Sequence, residues 1–275
     1  MLRIVSFNVN SVRMRPHQLE ALVAQHHPDI IGLQETKVQD QDFPVEMIEQ
    51  LGYKVEFFGQ KTHYGVALIY KPELELVQLQ KGWNTDDEHA QRRMIIGDFK
   101  TPSGEKLRVL NGYFPQGEKR DHPIKFPAKL AFYQDLMHYL NNDCTPEQNL
   151  VLMGDFNISP QDIDIGIGEA NRLRWLKTGK TSFLPEEREI WQQLIDWGLK
   201  DTYRCIYPDN AERFSWFDYR SKGFEDEPKR GLRIDTLLAT APLADKVIAS
   251  DIGYGIRGMD KPSDHAPVWS DFNIQ

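Results

Sequence analysis

A chain of 275 residues with 40% hydrophobic and 27% charged residues is long enough for a sizeable core, and its net charge of −8 excludes a uniformly basic nucleic-acid coat. No apolar run is long enough to span a bilayer, and Cys144 and Cys205 alone make no disulfide framework, so a membrane protein or a stapled secreted scaffold is excluded and a reducing cytoplasm is expected. One domain covering residues 1–275 fits these numbers.

MLRIVSFNVN reads as a strand from Leu2 to Asn10, without the apolar stretch and cleavage site of a signal peptide. Pro16–His26 places Leu19, Leu22 and Val23 at helical spacing. Asp29–Glu35 is a strand ending on an acid, and Pro44–Leu51 a short helix with proline at its start and Gly52 beyond its end. From Tyr53 to Phe114 the style changes. Lys54–Gly59, Gly65–Tyr70, Leu76–Gln80, Met94–Phe99 and Leu107–Phe114 read as strands separated by turns such as TPSGEK, an antiparallel meander. Pro127–Leu140 is a helix with Leu130, Tyr133, Leu136, Met137 and Leu140 on one face. Leu150–Met153 is an apolar strand running into GDFN, and Glu187–Trp197 an amphipathic helix stopped by Gly198. Ile234–Ala239, Val247–Ile252 and Ala266–Phe272 close the chain as strands. The expected fold is α/β (α+β), a four-layer sandwich of two packed mixed β-sheets flanked by helices.

The negative charge is unevenly spread. Arg172 to Arg233 carries 13 Lys and Arg against 11 Asp and Glu, which leaves the rest of the chain at −10. Within that stretch NRLRWLKTGK (Asn171–Lys180) holds four bases, one tryptophan and no acid. Such a face can hold a phosphate backbone, so Arg172, Arg174, Lys177 and Lys180 are candidate contacts, with Arg92, Lys119 and Arg120 further candidates. Most single surface Lys and Arg only solubilise, so the expectation rests on the cluster.

Carboxylates and amides recur at the ends of apolar strands. VSFNVN supplies Asn8 and Asn10, IIGLQET Glu35, VLNGYF Asn111 and Tyr113, and LVLMGDFN Asp155 and Asn157. GLRIDTLL starts a strand at Asp235, and KPSDHAPVW holds Asp264 and His265 between two prolines. Any one such acid is commonly a turn residue or helix cap. As a set they are oxygen donors of the kind a hard divalent cation takes, and they do not suit a structural zinc site.

The strings GLQETK, NGYFPQG, GDFNISP, GLRID and SDHAP resemble the motifs of the exonuclease–endonuclease–phosphatase superfamily, and within it the abasic-site endonuclease branch of the exonuclease III type. The resemblance runs the full chain, through SFNVNSVR, GQKTHYGVAL, HPIKFPAKLAFY, DIDIGIGE and RFSWFDYRSKGF. EDEPKR (Glu225–Arg230) departs from it as a longer, more acidic loop.

This resemblance implies a DNA-repair nuclease acting as a monomer on double-stranded DNA. The activities implied are 3′→5′ exonuclease, cleavage 5′ to abasic sites and removal of blocked 3′ ends. It implies Mg²⁺ or Mn²⁺ at Glu35, with Asp155, Asn157 and Asp264 as further or alternative ligands and Asn8 nearby. Asp155 is the implied general base, and Asn157 a donor to developing charge. Asp235 and His265 form an implied carboxylate–imidazole pair that grips a phosphoryl oxygen, with His265 as the base an open alternative. Tyr113 would bond the phosphate or help the leaving group, and Asn10 would contact substrate. Trp216, Leu232 and Ile234 would line an apolar pocket for a flipped-out abasic sugar, the alternative being that Trp216 and Ile234 are core. Two other functions compete. A phosphatase of inositol or sphingolipid head groups is disfavoured by NRLRWLKTGK and WFDYRSKGF. A non-catalytic DNA-binding relative would have lost Glu35, Asp155 or His265, and all three are present.

Overall fold

The computed structural model describes residues 1–274. Its strands are β1 (Leu2–Asn8), β2 (Ile30–Gln34), β3 (Lys54–Phe58), β4 (Val66–Tyr70), β5 (Glu75–Lys81), β6 (Met94–Lys100), β7 (Lys106–Tyr113), β8 (Leu150–Asp155), β9 (Leu199–Asp201), β10 (Asp235–Thr240), β11 (Val247–Ile252) and β12 (Val268–Phe272). The helices are α1 (Pro16–His26), α2 (Val45–Gln50), α3 (Lys125–Asp143), α4 (Glu169–Thr178), α5 (Pro185–Trp197), α6 (Thr202–Ile206), α7 (Ala241–Ala244) and α8 (Tyr254–Arg257).

Two six-stranded sheets form, ordered β11-β12-β1-β2-β4-β3 and β5-β6-β7-β8-β10-β9. Only β1 with β2 and β7 with β8 pair parallel among the described strands; the other pairings are antiparallel. The mixed two-sheet sandwich expected from the sequence is therefore present.

The core explains the apolar strands. Ile4, Ile30, Val66 and Leu68 of the first sheet face Ile95, Val109, Val151 and Met153 of the second in one buried cluster. Their chain neighbours Val5, Ile31 and Ala67 point the other way, under Leu19 and Leu22 of α1 and Ile48 of α2. On the far side Leu110, Leu150 and Leu152 pack under Tyr133, Leu136 and Leu140 of α3 and Trp191 and Leu194 of α5. A strand covered on both faces has no polar side to show, so it reads as an unbroken apolar run.

β1 and β2 stop short of the expected ends. Asn10, Ser11 and Glu35 adopt positive φ of 44°, 83° and 51°, which breaks the ladder and turns their side chains out of the strand alternation. Periodicity does not announce the helix α4, because it buries none of its residues and carries no apolar stripe.

Asn111, grouped with the strand-end polar residues by sequence, belongs elsewhere. It is fully buried between the sheets. Its Nδ2 donates to the carbonyls of Leu33 (3.0 Å) and Ala67 (2.9 Å), and its Oδ1 accepts from Gln34 Nε2 at 2.6 Å. Gly32 makes room: a Cβ there would lie 2.7 Å from the Asn111 side chain. Asn111→Ala leaves Gln34 and two strand carbonyls short of partners and lowers stability by about 2–4 kcal/mol, measured by urea denaturation at neutral pH. A loss below about 0.5 kcal/mol would show that this network does not tie the sheets together.

Candidate active site

The crevice forms where polar strand ends of the two sheets meet. In the second sheet the register sets Tyr113 and Asp235 on either side of Asp155. β7 and β8 approach so closely that a Cβ on Gly154 would lie 1.9 Å from the Gly112 carbonyl, and Gly154 has φ of 151°, so only glycine fits before Asp155. From the first sheet Asn8 ends β1 and Glu35 follows β2.

Asn8 joins the two sheets. Its Nδ2 donates to Glu35 Oε1 and to Asp155 Oδ2, each at 2.9 Å, and its Oδ1 accepts from the Asn10 backbone N–H. Lys37 Nζ lies 3.0 Å from Glu35 Oε2 and donates to Asn10 Oδ1 at 2.6 Å. Asn10 Nδ2 in turn donates to Asp264 Oδ1 at 2.9 Å.

His265 is buried with Nδ1 2.8 Å from Asp235 Oδ2 and Nε2 3.7 Å from Asp155 Oδ2. Burial opposes its charge, but Asp235, Asp155 and Asp264 outweigh burial and lift the imidazole to a pKa of about 10. Burial, with the Asp235 and Glu35 charges adding to it, raises Asp155 to about 8, against the pull of His265. Asp264 stays below the usual carboxylate range: burial is overcome by the His265 charge and by hydrogen bonds from Asn10 and Trp216. Burial and the nearby Glu35 and Asp155 push the Tyr113 phenol well up, so it remains a proton donor. Arg93 stacks over Tyr113 and Tyr64, 4.7 and 4.3 Å from the ring centroids.

Asn157 has φ of 51° and folds back, its N–H donating to Asp155 Oδ1 at 3.0 Å and its Nδ2 to the Phe114 carbonyl at 2.9 Å. One Nδ2 hydrogen remains for another acceptor.

The ligand atoms of Glu35, Asp155 and His265 lie within 4.8 Å of one another. Two carboxylates bridged by one amide hydrogen-bond donor supply the oxygen ligands a hard divalent cation takes, and a cation there would take the place of the proton that burial favours on Asp155. Asp264 stands outside this group. Its Oδ1 accepts from Asn10 and its Oδ2 from Trp216 Nε1 at 3.0 Å, so the turn directs it at two donors and its neighbour His265 at the cluster.

Other expected contacts move as well. Leu232 and Ile234 are 1% and 3% exposed and pack with Phe183 against Trp216, which is the more exposed member of the expected pocket. Trp216 is half-buried and faces a cleft of about 130 Å³ shared with Asn171, Arg174, Trp175 and Arg230. Arg92 is committed to Asp40 (2.9 Å) and the Gly59 carbonyl (2.6 Å), so it is not a free phosphate contact. Arg172 pairs with Glu169 one turn back, Lys119 with Asp121 and Arg120 with Glu186. Lys177 is exposed on α4, and Lys180 lies 3.7 Å from the Trp175 ring centroid. Lys37 and Arg93, which sequence reasoning did not single out, both belong to the crevice. Lys37 stands two residues after Glu35, and that spacing is the one signal for it.

Two packed six-stranded sheets under outer helices, with carboxylates and an imidazole gathered at one edge of the sandwich, define a phosphoester hydrolase of the double-sheet class. The chain belongs to the Endonuclease/Exonuclease/phosphatase family, whose model matches residues 5–265. It is 54% identical over 271 residues to the exodeoxyribonuclease III of Haemophilus influenzae, covering 98% of this chain and 100% of that one. Among solved structures it superposes with a TM-score of 0.89 on a 33% identical 3′ phosphatase, NExo, from Neisseria, bound to a product DNA hairpin. It also superposes with a TM-score of 0.88 on a 32% identical AP endonuclease from Archaeoglobus fulgidus; both matches cover 100% of each chain.

Proposed function

We propose that this chain is a single-domain, monomeric, Mg²⁺- or Mn²⁺-dependent DNA-repair nuclease of the cytoplasm. Its activities are removal of nucleotides from 3′ ends, incision 5′ to abasic sites and cleaning of blocked 3′ termini. The observation that carries the reading is the meeting of Glu35, Asp155 and His265 from both sheets in one crevice. Full-length similarity to an exodeoxyribonuclease III, and shared folds with a 3′ phosphatase and an AP endonuclease, support it.

The cation would be held by Glu35 and Asp155, with Asn8, Asn157 and Asp264 close by. When bound it neutralises charge on the phosphoryl group and the departing 3′ oxygen. Asp155 takes the proton of the attacking water. A carboxylate raised to about 8 by burial has a high proton affinity, and the protonated His265 ring and a bound cation would both favour its ionised, proton-accepting form. His265, at about 10, is protonated at neutral pH and has no lone pair to serve as base, so it donates Nε2–H to a phosphoryl oxygen. Asp235 fixes that ring through Nδ1. Tyr113 and the free Nδ2 hydrogen of Asn157 donate to developing charge. The cleft beside Trp216 is smaller than an ordinary ligand pocket and admits a sugar without its base pair, which favours an abasic site. Arg174, Lys177 and Lys180 hold the DNA backbone, and Asn10 orients the substrate side of the crevice.

Glu35→Ala raises the Mg²⁺ concentration needed for half-maximal cleavage by about 10–100-fold, read from a metal titration. An unchanged titration puts the ion elsewhere. The reading as a whole is tested by assaying purified protein with and without chelator on three duplexes: one with an abasic site, one with a recessed 3′ hydroxyl and one with a 3′ phosphate. Chelator-sensitive cleavage of all three is expected, and chelator-insensitive or absent cleavage refutes it.

A further inference from the structure

Beneath the turn that carries Asp155 and Asn157 lies a buried charge that the chemistry above does not use. Lys129 on α3 and Glu187 on α5 are both fully buried, with Nζ 2.5 Å from Oε1. An apolar pair of similar volume would fill such a space without the cost of desolvating two charges, so packing alone gives no reason for it.

The lysine's other contacts supply one. Nζ also donates to the Asn157 carbonyl at 2.8 Å and to the Gln116 carbonyl at 3.4 Å. It therefore ties together the segments that leave β7 and β8. One helical turn further along α3, the Tyr133 hydroxyl donates to the Phe156 carbonyl at 2.6 Å. Two consecutive carbonyls of the turn are thus held from below by one helix. Glu187 is anchored in its own right, its Oε2 accepting from the N–H groups of Ser182 and Leu184 at 2.8 Å each. The turn needs the support. Asn157 is held at positive φ, and rotation of its peptide would release both the N–H bond to Asp155 and the side-chain bond to Phe114.

We propose that Lys129 and Tyr133 are positioning residues for phosphodiester cleavage: they clamp the carbonyls of Asn157 and Phe156 so that Asp155 and Asn157 face the phosphate in one fixed geometry. This rests on the functional reading above, in which those two side chains act on the phosphate. Neither Lys129 nor Tyr133 touches substrate, so their loss acts on turnover and not on DNA binding.

Two variants test it. Tyr133→Phe deletes one hydroxyl and keeps the ring stacked on Phe114, 4.9 Å between centroids. Lys129→Met with Glu187→Gln removes the clamp without leaving a buried lone charge. On abasic-site duplex, Tyr133→Phe lowers kcat by about tenfold and the double variant by about 100-fold, with KM within about twofold of wild type. Asn111→Ala, which weakens the fold away from the turn, keeps its kcat and separates positioning from general destabilisation. A wild-type kcat in Tyr133→Phe overturns the proposal, whether or not the double variant folds. So does a loss expressed in KM alone, or a kcat loss in Asn111→Ala as large as that in Tyr133→Phe. Wild-type protein that fails to cleave the duplex defeats the functional reading itself, before any variant is compared.

Discussion

Asp155→Asn lowers cleavage of abasic-site duplex by a factor of about 10³ or more while DNA binding persists. The substitution is nearly isosteric. The introduced amide can keep its oxygen toward Asn8, so the bridge between the sheets has a replacement for its bond at Oδ2. It removes three things at once: the acceptor for the water's proton, one charge from the donor set for the cation, and one of the acids that keep His265 protonated. Binding is spared because the basic face of α4 is untouched. Single-turnover cleavage and a filter or anisotropy binding assay separate the two effects. Turnover like wild type would remove Asp155 from the chemistry, and loss of binding in step with cleavage would make it a structural residue.

Asp235→Asn lowers kcat by about 10²–10³-fold and drops the pKa of His265. Asp235 gives the largest of the attractions that overcome the burial of the ring, so without it the charged imidazole is less favoured. The amide also allows the wrong tautomer, as it can donate to Nδ1. The linkage has a definite sign. His265 is raised from 6.5 to about 10 in the folded protein, so its contribution to stability is complete below pH 6.5 and is lost as pH rises through about 10. In the variant the contribution is smaller, and its loss, which still starts near pH 6.5, is complete at lower pH. NMR titration of the His265 ring and stability measured from pH 6 to 10 report the two consequences. A ring that still titrates near 10 in Asp235→Asn would show that Asp235 does not govern it.

Much of the sandwich could be read from residues alone, because β1, β2, β8 and β10 are buried along nearly their whole length and so are apolar through their middles. Their ends could not. Those of β1 and β2 depend on positive-φ backbone at Asn10, Ser11 and Glu35, which a polar residue after a strand allows but does not require. The short β9 forms through tertiary contact with β10, and α6, although capped by Asp201, is too short to show an apolar stripe. At the crevice the residue types were evident, since Glu35, Asp155, Asp235 and His265 are costly to bury unless paired or put to use. Which member of the Asp264–His265 pair faces the cluster is decided by a turn, and adjacent residues cannot reveal it. Leu232 and Ile234 show the same limit: an apolar residue beside a cleft and one in the core look alike in sequence. Lys129 is the opposite case. It lies one turn before Tyr133 on the face that α3 turns inward, and a lysine in an apolar stripe was the available sign of a buried partner.

The central claim is that side chains from both sheets hold one divalent cation at the place of reaction. A crystal grown with manganese and recorded at a wavelength sensitive to it tests that claim most directly. An anomalous peak against the Glu35 carboxylate, absent in Glu35→Ala, is the predicted result. No peak there, or one on another surface of the protein while cleavage survives a chelator, would contradict the account.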